Sequence, residues 1–106
     1  MDDTAAAAFE SITKSYLDMP DVSAGTGFGK GVGLRRGGHI FAMLVRGSLV
    51  VKLPRALAAD IVAAGRGVPF DPGHGRLMRE WVEVSVERVE EWPALVRQAF
   101  DNAAPR

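Results

Sequence analysis

Six consecutive apolar residues, Ile40-Phe41-Ala42-Met43-Leu44-Val45, stand between Gly37-Gly38 and Gly47 with no proline among them. Side chains alternate across an extended chain, so this run is apolar on both faces. Ile40, Ala42 and Leu44 fall on one side, Phe41, Met43 and Val45 on the other. Such a strand belongs inside a sheet, and the flanking glycines, which accept positive φ, place tight reversals at its two ends. The strand 39–46 is therefore expected at or near the centre of a sheet, with Ser48 to Leu53 as the next strand. At six residues the run is far short of the ~20 that a membrane helix needs.

The elements around it follow from spacing. Ala5, Phe9, Ile12 and Tyr16 recur at helical intervals behind Asp2-Asp3, and Pro20 ends that helix. Arg35-Arg36-Gly37-Gly38 reads as a hairpin tip. Pro54 suits the first position of a helix running through Ala64, with Leu57 and Ile61 inward and Gly65 closing it. Val68 to Gly75 is rich in turn residues and reads as a loop. Leu77 to Val86 alternates as a strand, with Met78, Val82, Val84 and Val86 on one face. Trp92, Val96, Ala99 and Phe100 form the apolar stripe of a last helix, about residues 90–103, in which Pro93 is tolerable only in the first turn. The order of helices and strands implies an α+β fold, a two-layer arrangement of helices on an antiparallel sheet. At 106 residues it is read as one domain, 1–106, with no repeat or linker.

Charge and composition then exclude several classes of function. Thirteen basic residues balance thirteen acidic ones, so no global field draws the chain to nucleic acid or to an anionic membrane. With no cysteine, thiol chemistry, disulfides and iron–sulfur clusters are ruled out. The acidic start, Met1-Asp2-Asp3, lacks the basic region of a secretory signal, and a cytoplasmic location is expected.

Glycine at every second position from Gly25 to Gly33 invites a nucleotide-binding reading. A dinucleotide fingerprint needs a further glycine three residues after the second, where this series offers Lys30, Val32, Leu34 or Arg36. A P-loop fails as well, because Ala24 stands where its first glycine belongs and Gly31 where its hydroxyl belongs. Backbone approach or bending of the sheet explains the series better. His39 and His74 lack partners at metal-ligand spacing, and no serine sits in a nucleophile elbow. Glu80, Glu83, Glu87, Glu90 and Glu91 crowd a strand end and a helix start, where they solvate the surface and favour the helix dipole. No catalytic residue, cofactor, metal or small-molecule substrate is inferred.

The second face of the sheet carries the sharper expectation. Helices in a two-layer domain cover one face, so the other should be polar, yet Phe41, Met43, Val45 and Trp81 fall there with Arg79 nearby. An exposed surface of that composition would suit a protein partner or a second copy of the chain in a homodimer. A DNA-binding alternative would use Arg35, Arg36, Arg46 and Arg76 at hairpin tips, and the zero net charge weighs against it.

Four segments, taken in order, resemble the N-terminal domain of the TfoX/Sxy family of bacterial competence regulators. They are Phe28-Gly29-Lys30-Gly31-Val32-Gly33-Leu34, Gly38-His39-Ile40-Phe41-Ala42, Leu49-Val50-Val51-Lys52-Leu53, and Gly75-Arg76-Leu77-Met78-Arg79-Glu80-Trp81-Val82-Glu83-Val84. The last is similar to the family's Gly-Arg-x-Met-x-x-Trp-Val-x-Val segment. The family's Met-Phe-Gly-Gly turn is replaced by Gly27-Phe28-Gly29-Lys30. The resemblance implies a type III secretion chaperone-like fold, α-β(3)-α-β(2)-α, shared with the MmcQ/YjbR proteins, which are commonly described as DNA-binding. It brings a regulatory setting and no catalytic residues.

Overall fold

The computed structural model describes residues 4–26, 32–70 and 78–103. Its elements are α1 (Thr4–Tyr16), β1 (Val22–Thr26), β2 (Val32–Arg36), β3 (His39–Val45), β4 (Ser48–Lys52), α2 (Arg55–Ala63), β5 (Val68–Phe70) and β6 (Met78–Val84). A 3-10 segment (Val86–Glu91) then leads into α3 (Trp92–Asn102). The strands form one antiparallel sheet in the order β1-β2-β3-β4-β6-β5. The α+β class with helices packed on the sheet is as expected, and β3 lies inside it.

Two segments differ from their reading in sequence. The glycine-rich stretch supplies two strands, β1 and β2, so four strands precede α2 where three were expected. Gly25 pairs with Gly33 across them, and a Cβ on Gly25 would meet nothing within 4 Å, so close approach is not its role. Val68 to Phe70, read as loop, pairs with β6 as a short edge strand. Gly27, Gly29, Lys30, Gly31, His74 and Arg76 lie outside the described residues.

Turn chemistry fixes the hairpins. Gly37 and Gly38, at φ of 57° and 85°, join β2 to β3, and Arg46 and Gly47, at 50° and 77°, join β3 to β4. Positive φ at both central residues matches the right-handed twist of flanking strands. The end of α2 is a Schellman motif: Arg66 N–H donates to the Ile61 carbonyl and Gly65 N–H to that of Val62, both at 3.0 Å, with Gly65 at φ 73°.

The alternation of β3 is broken once. Leu34 pairs with Ala42, but Arg35 pairs with Ile40, which leaves Phe41 as an extra residue in a bulge. Phe41 and Ala42 consequently share the helix-covered face, and Ile40 moves to the other. Phe41 thus enters the main core with Tyr16 of α1 and Phe100 of α3. Ring centroids there are 6.1 Å apart for Tyr16–Phe41, 5.3 Å for Tyr16–Phe100 and 5.6 Å for Phe41–Phe100. Burial pushes the Tyr16 phenol above its ordinary pKa of 10.0. Leu49, Val51, Val82, Val84, Trp92 and Val96 complete the centre of this core, each fully buried.

Helices α1 and α3 pack over β3 and β4, and α2 packs over β5 and β6. The strands β5 and β6 approach the end of α2 through Gly67. A Cβ there would stand 2.7 Å from Val82 Cγ1, 3.0 Å from the Glu83 carbonyl oxygen and 3.4 Å from Ile61 Cγ2. Val82 and Ile61 are buried and cannot yield freely. Gly67→Ala is therefore expected to cost about 1–3 kcal/mol by overpacking. A denaturant melt measures it, and an unchanged midpoint would show that the approach is looser than this geometry requires.

Candidate interaction site

The second face of the sheet is a closed cluster and not an exposed patch. Met43, Val50, Phe70 and Trp81 form it, with Ile40 and Val45 partly buried against them. Met43 is fully buried and Trp81 is only 6% exposed. No helix residue belongs to this cluster. Of the residues expected to make an open apolar surface, Met43, Val45 and Trp81 do share the face, but Met43 and Trp81 are interior. Phe41 is on the opposite side because of the β3 bulge, and the Arg79 side chain is outside what the structure describes.

Nor do the candidate DNA-contacting arginines converge. Arg36 is part of the core's margin. Its Nη1 donates to the Phe100 carbonyl at 2.8 Å, and its Cζ lies 3.9 Å above the centroid of the Phe100 ring. The cation thereby caps the end of α3 and covers its aromatic side chain, an arrangement that suits a planar guanidinium. Arg35 is half-buried beside it on β2. Arg46 is exposed on the turn at the other end of β3, a strand of seven residues, or roughly 20 Å away at the usual rise per residue. Arg76 falls outside the described residues. The three described arginines thus sit at two opposite ends of the sheet.

One polar constellation was not legible beforehand. Glu91, at the end of the 3-10 segment, accepts from Arg66 Nε at 2.9 Å and from Arg88 Nη1 at 2.9 Å, and Arg66 Nη2 lies 2.8 Å from the same Glu91 Oε1. The two guanidiniums, Arg88 first and Arg66 next, hold its carboxyl below the ordinary 4.5. Glu91 therefore ties the end of α2 to the start of α3. The acidic cluster of the sequence has this one member in a structural bridge. Beside it an open cleft of about 490 Å³ is lined by Ser48, Gly65, Gly67, Glu83, Arg66 and Arg88 among others. Charges of both signs share its walls, and the guanidiniums are already turned toward Glu91. Among the described residues, no group of three or more His, Asp or Glu side chains could hold a metal ion. No described helix is long and apolar enough to cross a membrane.

Among the described residues, no strand pairs with the outer edge of β1. Ser23, Ala24 and Gly25 are all exposed. Ala24, paired with Leu34, has the parity of the helix-covered face yet is exposed, while Val22 at the start of β1 is partly buried against the main core. Gly37 N–H donates to the Asp21 carbonyl at 2.9 Å, which sets the phase of the ladder. Hydrogen-bonded pairs alternate in an antiparallel ladder, so Ser23 and Gly25 bond inward to β2 while Ala24 and Thr26 turn their N–H and C=O outward. Val22 N–H, also outward, is taken by the Met19 carbonyl at 3.2 Å. The opposite edge, β5, has three residues, and Pro69 has no N–H to offer. Among the described residues the two edges are thus unequal: β5 is blunted, and β1 has no strand beside it.

No family model matches the chain, and no curated protein matches it.

Two outcomes follow from the closed face and the carboxylate bridge. Trp81→Ala is expected to destabilise the fold by about 3–5 kcal/mol, as removal of a large buried aromatic does. A change under about 0.5 kcal/mol in a denaturant melt, the size of an ordinary surface substitution, would place Trp81 outside the core. For Glu91, the folded carboxyl titrates below its unfolded counterpart. Its contribution is therefore fully present above pH 4.5 and is lost as the pH falls through the lowered folded value. Stability measured against pH for the native chain and Glu91→Gln should differ by a constant amount near neutrality and converge in acid. A gap that persists unchanged at low pH would contradict the charge pairing.

Proposed function

We propose that this chain is a non-catalytic protein-interaction module, working in the cytoplasm, that docks an extended partner segment along the free edge of its sheet, β1. The observation that carries the reading is the pairing of exposed Ser23, Ala24 and Gly25 with an outward-turned Ala24 backbone on an edge that no described strand covers. An extended segment laid beside such an edge gains main-chain hydrogen bonds, and pockets beside alternate side chains add selectivity. Small residues suit this task because they let a second backbone come close. The edge takes the place of the apolar face expected from sequence, of which Phe41, Met43 and Trp81 are interior. The likeness to TfoX/Sxy N-terminal domains points the same way, toward regulation through contacts between macromolecules and away from chemistry on a small molecule.

Selection of extended peptides from a random displayed library against the immobilised protein tests this reading. Proline at position 24 removes only an outward N–H, so Ala24→Pro should keep the β1–β2 ladder while blocking the edge. Enriched peptides are expected to shift the amide resonances of β1 and to bind the variant at least about tenfold more weakly. Peptides that bind the variant unchanged, with their shifts elsewhere, would overturn the assignment.

A further inference from the structure

Resting on the same edge, we infer that its resident partner is a second copy of this chain, joined β1 to β1 about a twofold axis at Ala24. The residues Val22 to Thr26 are Val-Ser-Ala-Gly-Thr, with no charge among them, so the strand can lie antiparallel to itself without opposing like charges. The net charge of the whole chain is zero, and no general repulsion keeps copies apart.

Backbone phase selects the register. Only Val22, Ala24 and Thr26 direct their main-chain groups outward, so they alone can meet across the new contact. Placing Ala24 opposite Ala24 of the second copy overlaps all five residues of β1. In that register the two alanines exchange both hydrogen bonds. Thr26 N–H then reaches the carbonyl of Val22, and the Val22 N–H, already given to Met19, needs no new acceptor. Registers shifted by two residues overlap only three of the five residues of β1. Ser23 would stand opposite Gly25, a pair with almost no bulk to hold the strands apart.

Closure follows from the unequal edges. A β1-to-β1 contact uses the same patch on both copies and is complete at two, since β5 with Pro69 cannot extend the sheet further. The product is one continuous antiparallel sheet with a helix layer on each half. Small side chains bury little area, so the dimer is weak and dependent on concentration.

The absence of cysteine makes the test direct. Sedimentation equilibrium from micromolar to millimolar protein should show a monomer–dimer equilibrium with no larger species. Ala24→Lys, which sets like charges opposite each other at the axis while keeping the backbone, should weaken it at least about tenfold. Ala24→Cys places one thiol per chain at the axis, and opposed strand residues at about 5.5 Å between Cα atoms are within disulfide reach. Under oxidised glutathione it should form a covalent dimer far faster than Ser11→Cys, a control on the exposed face of α1. A monomer at every concentration overturns the inference. So does a dimer that Ala24→Lys leaves intact and Ala24→Cys fails to cross-link. Peptides that still bind in an Ala24→Pro-sensitive way to a strictly monomeric chain would separate the two readings, sustaining the docking edge and removing the second copy.

Discussion

Much of the structure hangs on one extra residue in β3. The bulge at Phe41 turns that ring onto the helix-covered face, where it meets Tyr16 and Phe100 and so joins α1, β3 and α3 at a single point. Arg36 extends the junction to β2 by stacking on Phe100 and bonding its carbonyl. Tilted and edge-on aromatic contacts of this kind contribute roughly 0.5–1.5 kcal/mol each beyond the area they bury. Without the bulge the strand would alternate strictly, Phe41 would fall on the second face, and the helix layer would lose the ring around which its two longest helices pack.

The same bulge decides which surface is open. With Phe41 removed from it and Ile40 supplied in exchange, the second face becomes the small cluster of Met43, Val50, Phe70 and Trp81. Those residues contribute to stability, and their burial takes them out of the list of binding anchors. Arg66, Arg88 and Glu91 are likewise spent on joining α2 to α3. The outer edge of β1 offers backbone instead: among the described residues no strand pairs with it, and Val22 to Thr26 hold no proline or charge.

The sequence made some of this legible and hid the rest for definite reasons. The doubly apolar run Ile40 to Val45 located the central strand, and Gly37-Gly38 and Gly47 located its turns, because burial and positive φ leave strong local marks. The valines of β6 and the stripe of α3 were placed correctly on the core by their periodicity. The bulge left no such mark, so every side chain assigned by parity before Ala42 was put on the wrong face, Phe41 and Ile40 alike. Pro69 masked a strand, since a three-residue edge with a proline looks like a loop. The bridge from Glu91 to Arg66 spans residues 25 positions apart, and only the folded chain brings them together. The β1 edge was the least visible feature, because the glycine series from Gly25 to Gly33 carries no mark of strand order, which only the folded chain shows.

Docking at β1 requires that the outward backbone of Ala24 be free. Amide hydrogen exchange, followed residue by residue by NMR, reads this directly in the native chain. In dilute solution the Ser23 and Gly25 amides, bonded inward to β2, should be protected, while the Ala24 amide between them should exchange close to the rate of an unstructured chain. Raising the protein concentration should slow Ala24 and leave its two neighbours unaltered. An Ala24 amide as well protected as Ser23 at every dilution would mean that the edge is already covered within one chain, and would contradict docking there.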